Sequence, residues 1–120
     1  MKDGSEFAGA RYLILGKVVG QRANLPDTIE SFYSQLQHSA QELGGRAHEE
    51  CSSAIFGPWD VAVFVTLPTP EALYGLANVI NRDGKMTTET YLAPSIKTFA
   101  QASKNAWSKT GAQSPVEQRR

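Results

Sequence analysis

At 120 residues, with 41% hydrophobic and 20% charged residues, the chain has material for one domain with one modest core and too little for two. Twelve Lys and Arg balance twelve Asp and Glu, so no net field draws it towards nucleic acid or an anionic membrane. The single cysteine, Cys51, excludes an intramolecular disulfide and gives no sign of an oxidising compartment, so a cytoplasmic protein is expected.

No apolar run approaches the roughly 18 residues that span a bilayer, so no membrane association is expected. The N-terminus lacks the apolar core of a signal peptide. Gly4-Ser5-Glu6-Phe7 resembles the translation of two common cloning sites set side by side, and residues 1–8 are left out of the fold reasoning. A single domain over residues 9–110 is expected. The basic residues Lys104, Lys109, Arg119 and Arg120 thicken towards the C-terminus without interleaved aromatics, which reads as a solvated, disordered tail over 111–120.

The first element is a strand from Arg11 to Val19. Tyr12-Leu13-Ile14-Leu15 is apolar on both faces, and Gly16 marks a bulge or the close approach of another backbone. Asp27-Thr28-Ile29-Glu30 then opens a helix like a capping box. Ile29, Phe32, Tyr33, Leu36, Ala40 and Leu43 fall on one helical face, and Gly44-Gly45 ends it. Arg46 to Phe56 is expected to be a polar edge strand. Gly57-Pro58-Trp59-Asp60 is a tight turn, and Val61-Ala62-Val63-Phe64-Val65 is the most apolar strand, suited to a central position buried on both faces. Thr69-Pro70-Glu71 begins a second helix with a hydroxyl cap, a proline and a carboxylate. Lys85 to Leu92 is a fourth strand, and Ile96, Phe99, Ala100, Ser103 and Trp107 form the stripe of a third helix.

The order β-α-β-β-α-β with an extra C-terminal helix is an α+β, ferredoxin-like pattern with a four-stranded antiparallel sheet. Right-handed crossovers place both main helices on one face. The other face is then open. A second copy packed there would remove apolar surface from water at roughly 25 cal/mol per Å², so a homodimer through the sheet face is expected. The competing cover is the C-terminal helix of the same chain.

Gly44-Gly45, Gly57-Pro58-Trp59-Asp60-Val61 and Gly84-Lys85-Met86-Thr87-Thr88-Glu89-Thr90 together resemble the GYD domain family over about residues 11–93, with Pro58 inserted and Trp59 where tyrosine is usual. The resemblance implies a dimeric α/β-barrel and brings no established reaction with it. More distant relatives by fold include cofactor-free monooxygenases, small isomerases and the sensing domains of leucine-responsive regulators, an analogy of architecture alone.

Few residues invite chemistry. His38 should face solvent, and strand alternation puts His48 and Cys51 on opposite faces, so no metal site is expected. Cys51, beside Glu49 and Glu50, reads as a packing residue rather than a nucleophile. No phosphate loop, nucleophile elbow or dinucleotide fingerprint occurs, and no cofactor is expected. Gly57 and Asp60 are read as the structural turn, with Asp60 holding backbone amides or pairing with Arg22 or Arg82. Glu89 and Tyr91 share a face with Lys85 and Thr87; with His48 and Trp59 they are the candidate ligand-binding residues. The expected role is noncatalytic binding of a small molecule or a protein partner near the sheet interface. The alternative is a small monooxygenase- or isomerase-like enzyme using a helix–sheet cavity. A DNA-binding regulator is disfavoured, with neither a helix-turn-helix segment nor a basic face.

Overall fold

The computed structural model describes residues 9–20, 24–82 and 84–110. Residues 1–8, Arg22 and the tail from Gly111 lie outside the described residues. The elements are β1 (Ala10–Val18), α1 (Leu25–Glu42), β2 (Arg46–Ala47), β3 (Ser53–Ala54), β4 (Val61–Leu67), α2 (Pro70–Ile80), β5 (Met86–Leu92) and α3 (Ile96–Thr110). They form an α+β arrangement around one antiparallel sheet, compatible with a ferredoxin-like fold. The sheet runs β2–β4–β1–β5, so the two most apolar runs, β1 and β4, are central.

The polar segment after α1 departs from expectation. It is two short strands, both paired with β4, so the sheet has five strands rather than four. A 3-10 turn at Glu49–Cys51 separates them. Ser52 explains the break: its hydroxyl donates to the His48 carbonyl at 2.7 Å and accepts from the Phe64 amide at 3.1 Å, in place of a ladder carbonyl. Short hydroxyl side chains compete with sheet pairing in this way. The turn also interrupts the alternation that was to separate His48 from Cys51. Cys51 is exposed, with its thiol 3.8 Å from the His48 carbonyl.

Helix α1 starts three residues earlier than the capping-box reading places it. Asn24 precedes it, Pro26 occupies its first turn, and Asp27 lies inside that turn rather than at the cap. Its end is a Schellman motif: Gly44 adopts φ +89°, and the amides of Gly45 and Gly44 bond to Ala40 and Gln41 carbonyls at 2.8 and 3.1 Å. Helix α2 begins as expected, with the Thr69 hydroxyl accepting from the Ala72 amide at 3.3 Å.

The core lies between α1, α2 and one face of the sheet. Val61, Val63, Val65 and Leu67 of β4 alternate inward with Ile14 and Val18 of β1 against Phe32, Leu36, Leu76 and Ile80. Gly16 in β1 makes neither a bulge nor a backbone approach; it leaves room for side chains, and a Cβ there would stand 2.7 Å from Met86 Cε. Along β5, on the face opposite Glu89 and Tyr91, Met86 is buried and Thr88 half-buried, whereas Thr90 and Leu92 are exposed because the helices stop short of that edge.

Helix α3 is capped by Ser95, whose hydroxyl accepts from the Thr98 amide at 3.0 Å. Within the chain it packs substantially against no other described element, and Ile96 and Phe99 on its apolar stripe are 87% and 64% exposed. The open sheet face is therefore not covered by this helix.

Candidate functional site

Strand register resolves the open face into three transverse rows. One is Arg46, Thr66, Arg11 and Ala93; the next is His48, Phe64, Leu13 and Tyr91; the third is Ala62, Leu15 and Glu89. The centre of this face is apolar, and its two edges are polar. Leu13, Leu15, Ala62 and Phe64 are only half-buried.

At the β2 edge, the His48 ring is held from both sides. Nδ1 faces the Glu50 carboxylate at 3.3 Å, and Nε2 lies 2.6 Å from the Thr66 hydroxyl. A carboxylate only accepts, so Nδ1 carries the proton and Nε2 accepts from Thr66 in the neutral ring. Arg46 reaches the same carboxylate at 3.1 Å. Glu50 is held below its usual range by its own backbone hydrogen bond and then by Arg46 and His48.

At the β5 edge, the Tyr91 hydroxyl donates to the Glu89 carboxylate. That bond and the neighbouring negative charge raise the Tyr91 phenol above its ordinary value. Both residues are exposed. Glu89 thus has a hydroxyl donor within its own strand and needs no buried cation in the isolated chain.

His48 and the Glu89–Tyr91 pair are not brought together within one chain. They stand at opposite edges, three strand spacings or roughly 14 Å apart. Trp59 is half-buried in the turn before β4 and belongs to neither edge group. Asp60, beside it, is 3% exposed, and its Oδ2 accepts from the Val18 amide at 2.8 Å. Its own amide bonds to the Gly16 carbonyl at 2.8 Å, so the carboxylate extends the β1–β4 ladder past the point where the backbones part. Gly57 lies in the exposed turn. Arg82, one of the two arginines considered for Asp60, is exposed after α2, and the other, Arg22, is outside the described residues.

The structure also shows a cleft that none of these residues line. It holds about 360 Å³ at the end of the helix–sheet layer, between the first turns of α1, the last of α2 and the start of β5. Phe32, Ile80 and Met86 form its apolar floor, while Asn24, Asp27, Thr28, Ser31, Gln35 and Lys85 provide polar walls. Its volume is at the low end of ligand pockets. The sequence signal for it is the polar series Asp27, Ser31 and Gln35, spaced by four residues beside the apolar stripe of α1. Ile14, Leu36, Val63 and Leu76 fill the middle of the layer. Among the described residues, no group of three or more His, Cys, Asp or Glu is placed to hold a metal ion, and no helix is long and apolar enough to cross a membrane.

No protein-family model matches this chain, and no curated protein matches it significantly.

Proposed function

We propose that this chain is a noncatalytic, homodimeric binding domain, two copies of which pair through their open sheet faces and bind a small molecule at the mouth between them. The observation that carries this is the pattern of the open face: an apolar centre of Leu13, Leu15, Ala62 and Phe64, bordered by Arg46 and His48 at one edge and Glu89 at the other. A two-fold axis parallel to the strands sets each edge over the opposite edge of the second copy. Apolar centre then meets apolar centre, and the Arg46–Glu50–His48 group of each copy meets the Glu89–Tyr91 pair of the other. His48 and Thr66 of one copy and Glu89 and Tyr91 of the other then line one mouth, which a single chain cannot assemble. The resemblance to the GYD domain family supports the same pairing.

Enzymatic use of a helix–sheet cavity, the alternative, has less support, because Ile14, Leu36, Val63 and Leu76 fill that layer with essentially no exposure. The open cleft at its end is the second place a ligand would bind.

Sedimentation equilibrium at micromolar concentration tests the pairing. The wild type should be dimeric and Ala62→Glu monomeric, since a charge buried in an apolar contact is costly. A monomeric wild type overturns the reading. A thermal-shift screen against a metabolite panel, repeated on Glu89→Gln and on Asp27→Ala, then separates the sites: a ligand at the mouth loses its shift in the first variant, and one in the cleft loses it in the second.

A further inference from the structure

Helix α3 leaves Ile96 and Phe99, in the first turns of its apolar stripe, exposed. Its charge is one-sided: Lys97, Lys104 and Lys109 with no acidic residue. Lys97 and Lys104, seven residues apart, run along one border of the stripe that contains Ile96 and Phe99.

A groove of matching character opens elsewhere on the molecule. It lies between α1 and β3, with Ile29, Tyr33, Ala54 and Val61 as its apolar lining and Glu30 and Glu49 as its acidic rim. Its volume of about 190 Å³ is below the range of small-molecule pockets and suits a single large side chain. The rim charge is felt inside it: burial, followed by Glu49 and Glu50, raises the Tyr33 phenol above its ordinary value. The exposed Phe56, on the loop that follows β3, adds apolar surface at the same edge.

The groove is out of line for the helix of the same chain. α3 leaves from β5, at the opposite edge of the sheet. Its departure is fixed where the Ala93 amide bonds to the Arg11 carbonyl at 2.8 Å and Arg11 Nε donates to the Ala93 carbonyl at 2.9 Å.

We propose that α3 of one copy docks Phe99 into the α1–β3 groove of a second copy, with Lys97 and Lys104 against Glu30 and Glu49. This rests on the homodimer reading, and it follows from the same two-fold axis, which sets the β5 edge of each copy over the β2–β3 edge of the other. An aromatic anchor in a pocket ringed by opposite charge is the usual form of a dominant interface contact.

The test uses the full chain. A photoreactive benzoylphenylalanine is placed at position 99, and equal amounts of ¹⁴N- and ¹⁵N-labelled protein are mixed and irradiated. The expected products are mixed-isotope cross-links mapping to residues 29–33 or 49–54. In sedimentation, Phe99→Glu should raise the dimer Kd by about thirtyfold or more. Phe99 is 64% exposed and outside the core, so circular dichroism of the variant should match the wild type. Cross-links confined to single-isotope species would place α3 on its own chain and overturn the docking while leaving the dimer intact. Mixed-isotope cross-links mapping elsewhere overturn the groove. A monomeric wild type overturns the homodimer, and the docking with it.

Discussion

Asp60 shows how a residue can stand beside a candidate site and still be explained by the backbone. It is the one buried charged side chain among the described residues, and it accepts a main-chain amide from the end of the neighbouring strand. Asp60→Ala leaves the Val18 amide without that acceptor and should destabilise the protein by about 1–3 kcal/mol. Asp60→Asn keeps an acceptor oxygen of the same shape and should cost less. Thermal or urea unfolding of the two variants checks the order, and an alanine variant as stable as the wild type would show the carboxylate to be dispensable. Sequence pattern pointed to this role because an aspartate after a glycine–proline turn and before an apolar strand has few other uses. It could not reveal the Tyr91–Glu89 bond, which depends on rotamers within one strand face rather than on spacing.

Elements held together by close backbone approach give the sharpest stability contrasts. At Gly45, which follows the left-handed residue of the α1 cap, a Cβ would collide with the Thr66 carbonyl oxygen of β4, a backbone atom that cannot turn aside. At Gly16 the nearest obstacle is the end of the flexible Met86 side chain. Gly45→Ala should therefore cost about 3 kcal/mol, the upper end of overpacking penalties, and Gly16→Ala about 1 kcal/mol. Equal losses would mean that β4 yields as easily as a methionine. The central strands, both main helices and their order were legible because apolar period and capping residues agree there. The turn at Glu49–Cys51 was not, since a polar edge strand and a polar turn have the same composition, and only the hydrogen bonds of Ser52 distinguish them. The periodicity of α3 was legible too, but a stripe does not name the surface that covers it.

For the whole molecule, the proposed pairing makes opposite edges interdependent. Arg46 and Glu89 are exposed and lie on different borders of one chain, so reversing either charge should leave the isolated fold unchanged. In the dimer the two share one border but stand in rows four residues, or roughly 13 Å, apart along the strands, so they act through the field of that border rather than as a contact pair. Glu89→Arg and Arg46→Glu should each raise the dimer Kd by about threefold, and the double variant should recover part of the loss. Raising the salt concentration should shrink these differences, because such border charges are screened. Failure of the double variant to recover would argue for a two-fold axis perpendicular to the strands, which sets like edges together.

Arg11 joins two regions that are otherwise far apart in the chain. Its guanidinium lies 4.7 Å from the centre of the Phe64 ring while its Nε holds Ala93, the residue from which α3 departs. Burying Phe64 against a second copy would immobilise that guanidinium and so reduce the entropy α3 loses on docking. Thermodynamic linkage makes such assistance mutual: whatever factor the sheet contact adds to the affinity of α3, docked α3 returns to the sheet contact. Arg11→Lys keeps the charge but not the planar group that reaches both neighbours, and this cooperativity is the property it would abolish.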